Sequence, residues 1–533
     1  MKSIKKILLY SAVLIVVSSS LSGCILNQIF GTSFSLVSFD IVDDDGFAGI
    51  SMSFTNTGTV TVNMYNPSGN IVDSELFLRS NNDATNDAIL HLASYKETAS
   101  PGQYRLVVYD KNDNTVSEET FNINEPKLSI SSCNQIWWKR ELLNLGYSLI
   151  GLDIEVYNHG NVPVYPYKVD LLVDSQTFSG FILPCVIKPN ENKNMDCFIY
   201  KSNTPKENIF TLFLKDVDGN VLSSDSFAVD TSDNVLTKEF KWSYNGLSRR
   251  LIVPYPKFLF DYYSSLGRIF NEDYGLYVFD NYDEDYLDLL VDLLPSDDSD
   301  LDTINFVASF VQNLKYKKDN DENESFEYPR YPVETLFNGE GGGDCEDKAI
   351  LAASILRQMG YDVALFRLTN HMAVGVHLSK NISGYEVYSD GYYFLETTSI
   401  GATLGYVPSE YKSRSNLTVY HISSRPLLVH SWQNNSLTIF RNTELGDFVK
   451  VTSILENLGS VTAENILFKG AFYTSYNQEL NARISTVFKL GPGMKEEVTM
   501  IVYIPKDLST VFKTKIYLYD EIVDEKEALA SFP

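Results

Sequence analysis

The stretch Gly341-Gly342-Gly343-Asp344-Cys345-Glu346-Asp347-Lys348 decides how the middle of this chain is read. Three consecutive glycines make a turn. The residues after them fall into helical spacing over about 346–359, with Ile350, Leu351, Ser354, Ile355 and Leu356 on one side and Gly360 as the stop. A glycine turn that enters a helix aims unpaired backbone N–H groups outward at the helix start. With the helix dipole, those donors lower a thiol's pKa, so Cys345 is placed as a candidate nucleophile. Asp344, Glu346 and Asp347 read as helix caps. Their negative charge opposes a thiolate, so part of the activation must come from a base elsewhere.

Downstream, strand signals run over 363–368, 372–378 and 392–397. His371 opens the second in Thr369-Asn370-His371-Met372, and Glu396 lies in the third in Phe394-Leu395-Glu396-Thr397. Antiparallel neighbours would set these two side by side. Cysteine chemistry needs that order: a base for the thiol proton, and a carboxylate to fix the imidazole. Asp390 is the rival acid, although Ser389-Asp390-Gly391 reads as a hairpin turn. His377 shares strand parity with His371 and reads as a packed histidine. Upstream lie an aromatic segment near 240–256 and helical runs over about 256–270, 286–294 and 302–314. The acidic loop 319–324 lacks the glycine and spacing of a calcium hand and reads as solvated. No paired C-x-x-C or H-x-x-x-H spacing exists, so no metal and no cofactor is expected.

Four segments in this order resemble the transglutaminase-like superfamily in its prokaryotic branch: Tyr331-Pro332-Val333-Glu334-Thr335-Leu336, Gly343-Asp344-Cys345-Glu346-Asp347, His371-Met372-Ala373-Val374-Gly375-Val376 and Tyr393-Phe394-Leu395-Glu396-Thr397-Thr398. The resemblance covers about residues 300–400. It implies a papain-like α+β core, with Cys345 as nucleophile, His371 as base and Glu396 as orienting acid. The animal enzymes of the family place Asp at the third position, one methylene shorter than Glu396.

Three other segments read as short alternating strands broken by turns: 35–125, 126–235 and 426–533. Each carries a strand that runs into an Asn turn: Asn56-Thr57-Gly58, Asn158-His159-Gly160 and Asn457-Leu458-Gly459. The shared pattern suggests weakly related β-sandwiches, and it resembles the immunoglobulin-like modules of bacterial and archaeal surface proteins. The expected architecture is therefore multidomain: an α+β papain/transglutaminase-like core at 236–425, with its helical lead-in, flanked by all-β sandwiches.

Composition bounds the rest. A chain of 533 residues is too long for one core. Its net charge of −26, with Lys and Arg dispersed, excludes a nucleic-acid partner. Lys2, Lys5 and Lys6 precede a short apolar run over 7–17, and Leu21-Ser22-Gly23-Cys24 follows. That ending resembles a prokaryotic lipobox, which implies a signal segment 1–23, lipid on Cys24 and a tether 24–34; a plain signal peptide or uncleaved anchor is the alternative. Of the five cysteines, Cys185 and Cys197 flank a polar turn. They either bridge, or with Cys133 are small buried hydrophobes.

The expected function is a surface-tethered, cysteine-dependent acyl-transfer enzyme on the extracellular face of the cell membrane. It would hydrolyse or transamidate amide bonds of peptide or protein substrates through a Cys345 thioester. The sandwiches would meet cell-envelope components. The competing expectations are a catalytically silent adhesion or binding protein, and an envelope component that crosslinks itself or a neighbour.

Overall fold

A computed structural model describes residues 32–79, 85–140, 146–232, 235–268, 274–294, 299–319, 328–414, 416–422, 426–432, 437–443 and 445–532. The expected signal segment and Cys24 lie outside them, as does most of the acidic loop. The described residues fall into two compact units, one within Met1–Ala93 and Ala99–Glu125, the other within Ser94–Thr98 and Pro126–Pro533.

The first unit holds β1 (Phe34–Asp44), β2 (Phe47–Asn56), β3 (Val60–Tyr65), β4 (Ile71–Phe77), β5 (Asn86–His91), β6 (Gly102–Asp110) and β7 (Thr115–Ile123). They form two antiparallel sheets, β1-β2-β5 and β4-β3-β6-β7. Alternation explains the burial: Ile50, Met52 and Phe54 of β2 and Val60, Val62 and Met64 of β3 point inward.

The second unit begins with β8 (Leu128–Lys139), β9 (Tyr147–Asn158), β10 (Lys168–Val173), β11 (Gln176–Phe181), β12 (Asn192–Cys197), β13 (Ile209–Lys215) and β14 (Val221–Ala228). The order is the same, β8-β9-β12 and β11-β10-β13-β14. Both sheets share one core that includes Ile154, Val156, Leu171 and Leu212. Near the C-terminus the order recurs in β23 (Leu428–Trp432), β24 (Thr438–Thr443), β25 (Gly446–Asn457), β26 (Ala463–Tyr473), β27 (Glu479–Leu490), β28 (Lys495–Tyr503), β29 (Thr510–Leu518) and β30 (Glu521–Phe532). Here β23 and β24 together take the place of a single first strand, both pairing with β25.

The recurrence extends to single atoms. The second strand of each set ends at an asparagine, and all three are buried. Asn56 Nδ2 donates to the carbonyls of Gly58 (2.7 Å) and Leu78 (2.9 Å). Asn158 Nδ2 donates to those of Val162 (2.8 Å) and Ile187 (3.0 Å). Asn457 Nδ2 donates to those of Val461 (2.8 Å) and Leu490 (2.9 Å). A side-chain amide offers two donors, so in each module one residue ties two backbone carbonyls, one close in sequence and one distant.

Between the second and third sets lie the hairpin β15 (Thr237–Tyr244) and β16 (Leu247–Pro254), α1 (Lys257–Ser265), α2 (Glu284–Leu293), α3 (Asp300–Asn313), β17 (Lys315–Tyr316), α4 (Pro332–Phe337), β18 (Gly342–Gly343), α5 (Cys345–Gln358), β19 (Asp362–Leu368), β20 (His371–His377), β21 (Tyr392–Leu395) and β22 (Thr418–His421). The sheet β21-β20-β19-β22 is antiparallel. One face, with Val363, Leu365, Met372 and Val374, packs in a core with Ile350, Leu351 and Ile355 of α5 and Ile304 and Val307 of α3. The other face, with Phe366, Ala373, Tyr392 and Phe394, is covered by Tyr388, Val407, Tyr411 and Leu417.

The expected fold class does not hold. Among the described residues strands take 51% and helical residues 13%, with five α-helices and many small sheets, so the chain is a mostly β, multidomain protein and an α+β papain-like core is not supported. Helical periodicity marks α2, α3 and α5 correctly as helices, but each has only 10 to 14 residues. Local periodicity reports single elements and carries no information on how much of the chain pairs as strands.

Candidate functional site

Cys345 is the first residue of α5. The glycines before it are required by packing. β18 runs parallel to β17, pairing Gly342 with Lys315. A Cβ on Gly342, whose φ is +125°, would lie 2.0 Å from the Lys315 carbonyl oxygen. A Cβ on Gly343 would lie 2.1 Å from Asp347 Oδ2. Asp347 occupies that space because it joins a buried network. The Asp344 N–H donates to Asp347 Oδ2 (3.3 Å) as part of a capping box, and the Arg330 N–H donates to Oδ1 (2.7 Å). Arg330 Nη1 lies between Asp347 Oδ2 (2.6 Å) and Asp319 Oδ1 (3.0 Å). A buried guanidinium held by two carboxylates thus fixes the turn that presents the thiol.

The thiol itself is not activated as expected. Its Sγ–H donates to Glu346 Oε2 at 3.2 Å. Burial pushes the Cys345 thiol pKa well up, and the charges of Glu346 and Asp344 push it further, while the Met372 N–H pulls the other way. Desolvation and two carboxylates therefore outweigh the donors and dipole of a 14-residue helix.

His371 opens β20 after a tight turn in which Asn370 takes φ +57°. Its Nε2 lies 2.9 Å from Glu396 Oε2. Glu396 follows β21 and is buried; its Oε1 accepts from the N–H of Thr398 (2.7 Å) and from the Thr398 hydroxyl. Burial alone would raise the Glu396 pKa, but the bond and charge of His371 and the Thr398 bonds together hold it below the usual carboxylate range. Asp390, the rival, sits at φ +49° in an exposed turn, and its carboxylate accepts from Ser389. His377 lies at the far end of β20, 3.9 Å from Asp362.

The structure therefore joins His371 to Glu396 directly and sets Cys345 against the backbone of Met372, the next residue after His371. Among the described residues, Sγ makes no hydrogen bond to His371 and His371 Nδ1 has no hydrogen-bond partner. Three carboxylates beside the thiol, Asp319, Asp344 and Glu346, converge within 4.8 Å of one another, close enough to hold a cation. Cys133, Cys185 and Cys197 are free thiols, so the Cys185–Cys197 bridge is not formed. Burial pushes Cys133 up to about 12 and Cys185 up to about 11, as inert packed thiols.

His371 and Glu396 form part of an open cleft of about 500 Å³. Its wall is the segment 398–411, with Ile400, Tyr406, Glu410 and Tyr411. The Tyr411 ring stacks flat on His371, with centroids 4.8 Å apart and planes within 8°. Gln312, at the end of α3, pins this wall. Its Nε2 donates to the carbonyls of Glu396 and Ala402 (both 2.8 Å), and its Oε1 accepts from the Gly401 N–H (3.0 Å). Lys348, one turn after Cys345, donates to the carbonyls of Gln312 (3.2 Å) and Leu314 (2.7 Å), and burial lowers its pKa to about 8. No motif marks Tyr411, Gln312 or Arg330 in the sequence; Lys348 closes the glycine-rich stretch quoted above, where nothing marks it for a role.

Among solved structures, the chain is similar to a red sea bream transglutaminase, at 11% identity over 72% of this chain and 80% of that one, with a TM-score of 0.18. It is also similar to the YadV chaperone, at 10% identity over 38% and 100%, TM-score 0.13, and to an Amycolatopsis orientalis exo-chitosanase, at 9% identity over 90% and 76%, TM-score 0.15. TM-scores this low carry no argument about fold or activity. No family model matches the sequence, and no curated protein matches it. No helix among the described residues is long and apolar enough to cross a membrane.

Proposed function

We propose that this protein is a cysteine-dependent acyl-transfer enzyme that hydrolyses amide bonds of peptide or protein substrates. The observation that carries it is the His371–Glu396 bond of 2.9 Å at an open cleft, beside a cysteine at a helix start. Glu396 holds the imidazole so that Nδ1 is left to take a proton. The thiol rests protonated, so His371 removes its proton as Sγ attacks the substrate carbonyl carbon. Backbone N–H groups at the start of α5 stabilise the oxyanion. The C–N bond breaks as His371 returns the proton to the leaving amine, and a Cys345 thioester remains. Water, deprotonated by His371, then attacks the thioester, releasing the acid and restoring the thiol. An amine in place of water would give transamidation.

The chain is proposed to act outside the cell membrane, held by lipid on Cys24, with the β modules meeting envelope components. The test is mass spectrometry of the protein after exposure to a peptide library. A Cys345 acyl adduct and cleaved peptides that both vanish in Cys345→Ala are expected. Cleavage unchanged in that variant would defeat the proposal.

A second function, a catalytically silent binding or adhesion protein, is favoured by one observation, the thiol bonded to Glu346 and pushed toward its neutral form. Neither adduct nor cleavage in the same experiment is its expected outcome.

A further inference from the structure

One hydrogen bond fixes one atom of an imidazole ring and leaves the plane of the ring to tilt about it. In this site a second contact fixes the plane. The Tyr411 ring lies 4.8 Å from His371 with the planes within 8°, so the two faces are in flat contact. Tyr411 is itself held. It closes the short 3-10 turn Ser409–Tyr411, its N–H donates to the Pro408 carbonyl (3.0 Å) and its carbonyl accepts from the Tyr388 hydroxyl (2.6 Å). Its other neighbour is Phe394, at 6.4 Å and 22°. Phe394 lies in β21, two residues before Glu396, so the strand that brings the acid also backs the ring that covers the base.

We infer that Tyr411 is a positioning residue for the proposed reaction, keeping His371 in the plane in which Nε2–H stays on Glu396 and Nδ1 faces the cleft. This rests on the function proposed above. The groups that touch His371 are the Glu396 carboxylate and the Tyr411 ring, and Glu410 lines the same cleft. Burial raises the Tyr411 phenol's pKa, and the charges of Glu396, Glu410 and Cys345 raise it further. The phenol oxygen is not what the geometry uses; the ring face is.

The test compares Tyr411→Phe, which keeps the ring, with Tyr411→Leu and Tyr411→Met, which remove it, in the full chain. The first readout is the ¹⁵N spectrum of the His371 side chain in a Cys345→Ser background at pH 8.5, assigned with His371→Asn. The parent and the Phe variant are expected to show a single Nε2–H tautomer, and the Leu and Met variants a mixture of tautomers. The second readout is peptide hydrolysis, with kcat expected to fall roughly 10- to 100-fold in Leu and Met and to stay within about twofold in Phe. Retention of the single tautomer and of kcat in both ringless variants overturns the inference, as does loss of both in Phe. A tautomer change with no hydrolysis by any form, the parent included, would leave the positioning role standing and remove the proposed function instead.

Discussion

The thiol of Cys345 donates to Oε2 of Glu346 at 3.2 Å, so a nucleophile candidate is bound to a carboxylate and not to an imidazole. Glu346 is buried, and its charge favours the neutral thiol. The sulfur therefore ionises only at a pH well above that of an ordinary cysteine. Glu346→Gln removes the charge and keeps the shape. Alkylation by iodoacetamide at pH 8 should be slow in the parent and about tenfold faster in this variant, for each unit by which the thiol's pKa falls. Peptide mapping of Cys345 gives the rates. Equal rates would show that burial and Asp344 hold the proton without help from the Glu346 charge.

Gly343 faces the side chain of Asp347, where a Cβ would lie 2.1 Å from Oδ2. Gly343→Ala should displace Asp347 from Arg330 and leave a buried guanidinium with one partner fewer, costing about 3–5 kcal/mol. Gly384→Ala is the comparison, since φ there is +86° but nothing lies within 4 Å. That change should cost only about 1–2 kcal/mol, from backbone strain. Denaturant midpoints of the two variants separate packing from strain.

Three aspartates near α2 favour their protonated forms. Burial raises Asp280 to about 6 and Asp285 to about 7. Burial also raises Asp283, whose Oδ2 has no hydrogen-bond partner among the described residues. An unfolded aspartate titrates near 3.9, so the folded chain holds extra protons between about pH 4 and 7. Their contribution to stability is complete below the unfolded value and is lost as pH rises through 6 to 7. The protein should melt at a higher temperature at pH 5 than at pH 8, by roughly 1–3 kcal/mol of stability. Asp280→Asn keeps an acceptor for Tyr263 and should flatten part of that slope; circular dichroism melts at both pH values check it.

The buried asparagines of the β modules make a prediction about folding alone. Asn457→Ala leaves the carbonyls of Val461 and Leu490 without this donor and should cost about 1–3 kcal/mol. Asn457→Asp sets carboxylate oxygens against the same carbonyls and should cost more. Hydrogen exchange resolved over 426–533 reads the effect in that module, and the pocket near His371 should not respond.

The sequence showed the asparagine turns because they are local: a strand pattern, then Asn and Gly. It did not show what the amides bond, since Ile187 and Leu490 come some thirty residues later. The order Cys345, His371, Glu396 was legible for a related reason. Each stands at a recognisable element start or end, and antiparallel pairing brings β20 and β21 together. The state of the thiol was not legible, because it depends on burial and on where the Glu346 carboxylate points. Tyr411 was equally hidden, its stack on His371 spanning forty residues of chain with no periodic signal. Helix α4 is a different miss. Pro332 at its first turn, with Glu334 accepting from the Tyr331 N–H (3.0 Å), is a start signal present in the sequence, but the helix has six residues and is too short to show a period.

The C-terminal end of α3 holds both halves of the candidate site. Lys348 ties the sulfur-bearing helix to the carbonyls of Gln312 and Leu314, and the amide of Gln312 ties down the stretch from Glu396 to Ala402. Cys345 and Glu396 are thus bolted to a common mount that contributes no group to the proposed reaction. Vibration or a distant mutation that shifts this mount carries both together and preserves their spacing. Variation at Gln312 would instead let them drift separately, so tolerance of substitution should be lower at this silent glutamine than its distance from any bond-making atom suggests.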